Sequence, residues 1–167
     1  NTSKRNIALV FKITSTEDPT KILAILNNKK VPATFFIDGT YLEKHTYLLK
    51  NIKNHELELL SYDSKTDENL FKTSLAYLET ITKEKTKYCY TETDNESLLS
   101  TCSKLKMHTI KPTMVLKKNL YKEIKNNLSN SIIISLEINN YVEKELPIVI
   151  DYIYSKDYNF TTIDTLI

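Results

Sequence analysis

One stretch of the chain constrains the fold more than any other: residues 31–37, with the sequence VPATFFI, form an apolar, aromatic-rich run of strand length. The run ends at Asp38 and Gly39, and Gly39 is the only glycine in the sequence. A helical pattern of apolar residues follows at once over residues 41–53. A buried strand that passes through a tight turn into a helix is typical of a parallel sheet covered by helices. We therefore expect Gly39 to mark a βα turn in an α/β fold.

The rest of the chain repeats this alternation of strand and helix. Apolar runs predict strands at residues 6–11, 56–61, 88–90, 108–110, 131–136 and 160–163, and helical periodicity predicts helices at about 19–28, 41–53, 67–83, 95–105, 121–128 and 143–155. The strand at 108–110 reaches residue 115 in one interpretation, although Pro112 would remove a hydrogen bond from the sheet. Continuous apolar strands require a parallel sheet covered on both faces, as a barrel or as an open doubly wound sheet. A length of 167 residues predicts one domain over residues 1–167.

Composition excludes several classes of partner. The formal net charge is only +2 and Arg5 is the only arginine, which disfavours nucleic-acid binding. No apolar run approaches the length of a membrane span and no signal segment opens the chain, so we expect a soluble domain. The polar lead-in at residues 1–4 is compatible with a signal or a membrane anchor upstream of residue 1.

The two cysteines, Cys89 and Cys102, are too few for a disulfide scaffold and lack the spacing of a zinc site. Cys102 shares a helical face with Leu98 and Leu105, which favours a small, buried, free thiol. A disulfide between the two cysteines is the alternative.

Five segments, in chain order, carry a resemblance to a known family: NIALVF, KILAILNNKKVPATFFIDGTYLEK, LLKNIKNHELELLSYDS, NSIIISLE and LPIVIDYIYSKDYNFTTI. Together they resemble the polysaccharide deacetylase family, also called the NodB-homology domain or carbohydrate esterase family 4. The resemblance spans nearly the whole chain and implies a distorted (β/α)7-type barrel rather than the open doubly wound sheet. It also implies hydrolysis of N-acetyl groups on glycans, with a divalent metal held by Asp-His-His, an Asp as base and a later His as acid.

The residues at the family's site positions depart from that pattern. The family motif Phe-Asp-Asp-Gly falls on FKIT, which places Lys12 at the position of the base and Ile13 at that of the metal carboxylate. The two metal histidines fall on Leu60 and Ser64, and the acid falls on Leu136. Metal-assisted hydrolysis needs imidazoles, carboxylates and a base, so we expect no bound metal, no cofactor and no inherited catalytic residue. We expect Ile13, Leu60 and Leu136 to pack together instead.

Other side chains at strand ends are candidates for a binding groove. They are Tyr62, Asp63, Tyr90, Glu92 and Glu137, next to Lys12. The two tyrosines offer aromatic surface with a polar handle to a glycan or a protein. His55 matches a position before the metal histidines and is expected to be structural.

The resemblance and the altered site together predict a catalytically inactive domain. Its expected role is a binding or scaffold module at a bacterial cell envelope, extracytoplasmic or on the cell surface. The expected partner is an envelope protein or a peptidoglycan-type glycan. One alternative is an active, metal-dependent glycan N-deacetylase with unorthodox ligands, and another is a glycan-binding module that uses the former substrate groove.

Overall fold

The computed structural model describes residues 5–14, 16–52, 54–63, 65 and 67–167. Its strands are β1 (Arg5–Ile13), β2 (Thr34–Ile37), β3 (Glu56–Leu59), β4 (Tyr88–Tyr90), β5 (His108–Ile110), β6 (Met114–Leu116), β7 (Ile132–Leu136) and β8 (Tyr158–Thr161). The helices are α1 (Thr20–Lys29), α2 (Gly39–Lys44), α3 (Glu68–Thr82), α4 (Glu96–Lys104), α5 (Leu120–Asn127), α6 (Asn140–Ser155) and α7 (Ile163–Leu166), with a 3-10 helix at Thr46–Asn51. Across the described residues, every helix falls short of the length and hydrophobicity needed to cross a bilayer.

The strands form a distorted barrel, as expected. One sheet runs in the order β3-β2-β1-β7-β6, and β4 and β5 form a second, two-stranded sheet. All pairings between these strands are parallel. On the edge of β1 opposite β7, β8 pairs with residues 5–8 and β2 pairs with residues 10–13. In the described part of the chain, no strand pairing joins β3 to β4 or β5 to β6, so the barrel has two open seams.

Alternate residues of the strands pack into two different cores. Ala8 and Val10 of β1 belong to an inner cluster with Phe36 and Tyr90, while Ile7, Leu9, Phe11 and Ile13 belong to the cluster that also contains the helix side chains. Successive side chains of a strand point to opposite faces. Both faces of β1 are therefore buried, which explains its continuous apolar sequence. Ile163, in α7, is fully buried in the inner cluster.

Gly39 is the first residue of α2, so the predicted βα turn is confirmed. Its amide donates a hydrogen bond to the carbonyl of Ser61 at 2.7 Å. A Cβ atom at this position would lie 2.6 Å from Ser74 Oγ and 2.7 Å from Tyr62 Cδ2. The close approach of α3 and of the segment after β3 therefore requires glycine here.

Two predicted elements differ from the structure. The helix expected at 41–53 is split at His45 into α2 and the 3-10 helix. At the split, the His45 amide donates to the carbonyl of Tyr41 at 2.9 Å and the Thr46 hydroxyl donates to that of Leu42 at 2.9 Å. The extension of β5 to residue 115 is wrong, because Pro112 separates β5 from β6, which belongs to the other sheet.

Cys89 and Cys102 form a disulfide, so the expectation of two free thiols is wrong. Their Cα atoms are 6.4 Å apart, and both residues are fully buried. The helix face that was expected to pack a thiol against the core instead places Cys102 against β4. The bond therefore ties α4 to the two-stranded sheet.

Loss of the disulfide is expected to lower the free energy of unfolding by about 3 kcal/mol, because the bond closes a loop with a sequence separation of 13 residues. Urea unfolding of the oxidised and the reduced protein measures this difference. A variant with alanine at both cysteines is the control, since a reductant should leave its midpoint unchanged. Equal midpoints for the oxidised and reduced wild type would contradict the expectation.

Candidate functional site at the barrel mouth

The carboxyl ends of β1, β4 and β7 bring several of the predicted site residues to one end of the barrel. Lys12 is near the end of β1, Glu92 follows β4 and Glu137 follows β7. Lys12 and Glu137 line the same cavity of about 230 Å³. In α/β barrels this end carries the ligand sites. We call the group Lys12, Tyr90, Glu92, Ser135 and Glu137 the barrel mouth.

An ion pair and two hydrogen bonds connect four residues of the barrel mouth. The Lys12 ammonium group pairs with the Glu92 carboxylate. The Tyr90 hydroxyl donates to Glu92 Oε1 at 2.9 Å and is hydrogen-bonded to Ser135 Oγ at 2.6 Å. Lys12 Nζ also lies 5.7 Å from the centroid of the Tyr90 ring. Lys12 is therefore held by an internal carboxylate and an aromatic ring rather than presented alone to a ligand.

The pKa shifts of Glu92 and Tyr90 indicate which of these two groups in the barrel mouth is ionised. Burial favours the neutral form of Glu92, but hydrogen bonds from Lys12 and Tyr90 outweigh burial and hold the pKa of this carboxyl below its ordinary value. Burial and the nearby Glu92 raise the pKa of Tyr90, although the bond to Ser135 acts in the opposite direction. The Tyr90 phenol therefore stays protonated and donates a hydrogen bond to the ionised carboxylate of Glu92.

The candidate groove residues do not all meet. Tyr90 is only 4% exposed, so the prediction that it offers its ring to a ligand is wrong. The Tyr62 hydroxyl points to Glu43 Oε2 at 3.3 Å, and the carboxylate of Asp63 lies 3.9 Å from Lys65 Nζ. Among the described residues, no hydrogen bond or ion pair joins Tyr62 or Asp63 to the barrel mouth. Tyr62 and Asp63 instead belong to the turn after β3.

Glu137 is paired with a different lysine from the one that pairs with Glu92. Its carboxylate lies 3.4 Å from Lys117 Nζ, and the residue is partly exposed. It shares the cavity at the mouth with Lys12, Thr14 and Glu17. The two mouth carboxylates, Glu92 and Glu137, are therefore each paired with a lysine.

The apolar residues at the predicted metal and acid positions do not form one cluster. Ile13 and Leu136 are fully buried in the cluster that contains the helix side chains, whereas Leu60 packs against the inner cluster. The expectation that these three residues pack together is therefore wrong, because alternate strand residues face opposite sides. Ser64 lies outside the described residues. Within the described ranges, no group of three or more His, Cys, Asp or Glu side chains is placed to hold a metal ion.

Two further polar residues have clear structural roles. Ser135, which the sequence pattern treated as part of a uniformly apolar strand, is fully buried and bonded to Tyr90. His55 accepts a hydrogen bond from the amide of Ala33 at Nδ1 (3.1 Å), and its Nε2 lies 2.9 Å from Asn27 Oδ1. Burial lowers the pKa of His55. His55 thus connects α1 to the segment before β2, which agrees with a structural role.

Comparison with known proteins decides the family. A sequence model of the polysaccharide deacetylase family matches residues 1–128. The chain belongs to the polysaccharide deacetylase family. A search of curated protein sequences found no match.

Solved structures of this polysaccharide deacetylase fold superpose on nearly the whole chain. A wild-type CE4 family pseudoenzyme from Bacillus anthracis has a TM-score of 0.80 at 16% identity, covering 99% of this chain and 66% of that one. A family 4 carbohydrate esterase from Bacillus anthracis has a TM-score of 0.81 at 23% identity, covering 99% of this chain and 84% of that one. A mutant of the peptidoglycan deacetylase PdaC from Bacillus subtilis has a TM-score of 0.78 at 17% identity, covering 98% of this chain and 90% of that one. At these identities the likeness shows the shared fold.

Proposed function

We propose that this polysaccharide deacetylase-family domain is catalytically inactive and acts as a binding or scaffold module at a bacterial cell envelope. The observation that carries the proposal is the ion pair of Lys12 with Glu92 at the barrel mouth. The family resemblance assigns the base to the position of Lys12. An ammonium group paired with a carboxylate has no lone pair to accept a proton from water, so the residue in place does not suit the base's task.

The metal implied by the family does not fit the residues present. Its carboxylate position is taken by Ile13 and one histidine position by Leu60, and neither side chain has a donor atom. Zinc is bound through imidazole nitrogen, thiolate sulfur or carboxylate oxygen. We therefore derive no hydrolytic step through a metal.

The alternative of an active enzyme with unorthodox ligands has less support. The candidate ligands for such an enzyme are the carboxylates at the strand ends, Asp63, Glu92 and Glu137. Glu92 is bonded to Lys12 and Tyr90, and Glu137 is paired with Lys117. A metal at Glu92 would have to displace the largely buried Lys12, whereas the exposed pair of Glu137 with Lys117 opposes a metal only weakly.

Two observations support an extracytoplasmic location. The Cys89–Cys102 disulfide is typical of proteins in oxidising compartments such as the cell surface. One structural neighbour is described as a peptidoglycan deacetylase. The proposed partner is accordingly a peptidoglycan-type glycan or an envelope protein.

A polar cavity at the barrel mouth favours the glycan partner. It is lined by Lys12, Thr14, Glu17, Glu137 and Ile138. Hydroxyl, carboxylate and ammonium groups around a small concave site suit the hydroxyl and amide groups of a sugar. The former groove is therefore the first place to test for binding.

Titration with soluble peptidoglycan fragments tests this binding role. We expect Glu137→Gln to weaken binding about tenfold, because the amide loses the charge-assisted bonds of the carboxylate. Glu84→Gln is the matched control, since Glu84 is exposed on the segment after α3. Equal affinity of the two variants would exclude the barrel mouth as the glycan site.

A further inference from the structure

A second cavity lies beside the barrel mouth, between the segment that follows β1 and the segment that follows β2. Its volume is about 330 Å³, and it shares Glu17 with the cavity at the mouth. Small-molecule sites in proteins span about 300–1,000 Å³, so this space suits a small ligand. We call it the side cavity. Its lining includes Glu17, Asp18, Thr20, Tyr41, His45 and Tyr47.

The Tyr41 hydroxyl is a buried polar group of this cavity that lacks a partner. In the described part of the chain no hydrogen bond reaches this hydroxyl, although the residue is only 5% exposed. Among the described residues the fully enclosed side-chain oxygen without a partner is Thr161 Oγ1, so the Tyr41 hydroxyl is accessible from the cavity. Burial and the nearby Asp18 raise the pKa of Tyr41 to about 12, which keeps the phenol protonated. Because buried tyrosine hydroxyls usually have partners, this free donor points to a ligand.

His45 adds an acceptor to the side cavity. Its Nδ1 lies 3.1 Å from the carbonyl oxygen of Tyr41, and a carbonyl oxygen only accepts, so Nδ1 carries a proton. The neutral ring then has its lone pair at Nε2, which has no partner among the described residues. The ring is held by stacking on Tyr41, with the centroids 4.1 Å apart. Tyr47, which is 65% exposed, offers an open aromatic face 6.0 Å from His45.

Two carboxylates make the lining of the side cavity negative. Within the described ranges, no ammonium or guanidinium group lies within 4.0 Å of Glu17 or Asp18. Hydrogen bonds from Thr20 lower the pKa of Asp18, which is therefore ionised at neutral pH. Lys21 acts on Asp18 from outside the lining, and its ammonium group lies 3.9 Å from Glu143. The described lining contains no lysine or arginine.

We propose that the side cavity binds an amino sugar with a free ammonium group, that is, a glycan unit without its N-acetyl group. The ammonium group would lie between the carboxylates of Glu17 and Asp18, as a charge-assisted donor. The sugar hydroxyls would accept from Tyr41 and donate to Nε2 of His45. The exposed ring of Tyr47 would cover one face of the sugar. The inference rests on the proposed binding of a glycan and names the chemical form of the sugar.

The lining selects this ligand over the others. An anionic ligand would be repelled by the two carboxylates, because Lys44 and Lys50 of the neighbouring segment lie outside the lining. An N-acetylated sugar would bring no charge to pair with the carboxylates. A metal ion would need more ligands, since no group of three or more His, Cys, Asp or Glu side chains is placed to hold one within the described ranges.

Isothermal titration with two oligosaccharides of equal length tests the proposal. One is a glucosamine oligomer and the other an N-acetylglucosamine oligomer. At low salt and at a pH where the sugar amine is charged, we expect the glucosamine oligomer to bind at least about tenfold more tightly, and the difference to shrink as salt rises. Equal affinities overturn the proposal. Tighter binding of Nα-acetyl-lysine amide than of glucosamine also overturns it, because the ammonium group would then belong to a peptide.

Tyr41→Phe separates a binding role from a structural one. The variant loses only a hydroxyl without a partner, so we expect an unchanged urea midpoint and about fivefold weaker binding of the glucosamine oligomer. Tyr158→Phe is the matched control, because Tyr158 is 4% exposed and its hydroxyl accepts from Arg5 Nη2 at 2.7 Å. We expect the control to unfold at a lower urea concentration and to bind like the wild type.

Asp18→Asn tests the charge. The amide keeps the oxygen that accepts from the Thr20 amide at 3.0 Å, so the local structure is retained. We expect about tenfold weaker binding of the glucosamine oligomer and unchanged binding of the N-acetylated one. Asp157→Asn is the control, since Asp157 is exposed just before β8, at the end of the barrel opposite the mouth.

The outcomes separate this inference from the proposed function. Wild-type affinity of Tyr41→Phe, or an unchanged preference for glucosamine in Asp18→Asn, overturns the inference. If peptidoglycan fragments bind through Glu137 and the glucosamine oligomer binds no better than its N-acetylated form, the inference alone fails. If no glycan binds, the proposed glycan-binding role fails together with it.

Discussion

Replacing Ile13 with aspartate is expected to lower the free energy of unfolding by about 3–5 kcal/mol. Ile13 is fully buried in the cluster that contains Phe11 and Leu136. The variant loses apolar contacts and places a carboxyl group among hydrocarbon side chains without a partner. Urea unfolding in the absence of metal measures the change.

Two further variants make the Ile13 result specific. Ile13→Val removes one methyl group and is expected to cost only about 1 kcal/mol. Leu60→His is expected to cost less than Ile13→Asp, because Leu60 is only partly buried and packs against the other cluster. If Ile13→Asp unfolds at the wild-type urea concentration, Ile13 is not packed as described and its position remains open to a metal ligand.

The second large effect is a pH dependence of stability that arises at Glu58. This β3 residue is 2% exposed, and its carboxyl group accepts hydrogen bonds from the amides of Lys87 at 3.0 Å and Tyr88 at 3.2 Å. These bonds cross the open seam between β3 and β4. They favour the ionised form, but burial dominates and raises the pKa of Glu58 from 4.5 to about 8.

The sign of the effect follows from proton binding. Between pH 4.5 and about 8 the folded state holds a proton on Glu58 that the unfolded state has lost. The free energy of unfolding therefore falls as pH rises through this window, by up to roughly 4–5 kcal/mol. Glu58→Gln keeps the size of the side chain and should remove this fall.

Comparison of the two proteins from pH 5 to pH 8 isolates Glu58. His55 gives the opposite trend: because its pKa is lowered in the folded state, stability is lost as pH falls through about 6.5. The pKa of Glu56 is raised, so Glu56 gives a fall in stability with rising pH of the same sign as that of Glu58. His55 remains in Glu58→Gln, so its effect cancels in the difference. Glu56 is coupled to Glu58 by charge, so the difference includes the change that the substitution makes in the titration of Glu56. Parallel stability profiles for the wild type and the variant would show that Glu58 is not the source.

The parts of the fold that the sequence predicts are those in which local pattern and tertiary contacts agree. β4 occupies the predicted residues 88–90, and Gly39 lies at the predicted turn. The break at His45 was missed, because the helical spacing of apolar residues continues across it from residue 41 to residue 53. α7 has only four residues, too few for a periodic signal.

The site was predictable in location more than in detail. Lys12 and Glu92 were both expected at strand ends, but their pairing joins residues 80 positions apart and depends on the order of strands around the barrel. The disulfide turns Cys89 towards α4. Because successive side chains of a strand point to opposite faces, the next residue, Tyr90, points into the inner cluster and is buried. That orientation depended on the disulfide, which the sequence left open.

Acetate release from an N-acetylglucosamine oligomer, with zinc supplied, tests the central claim of catalytic inactivity most directly. The family 4 carbohydrate esterase from Bacillus anthracis is assayed under the same conditions for comparison, and the zinc content of the purified domain is measured in parallel. We predict acetate at the level of the protein-free blank, because Lys12 is paired with Glu92 and Ile13 offers no ligand atom. Release of acetate above that blank which a chelator abolishes would contradict the account.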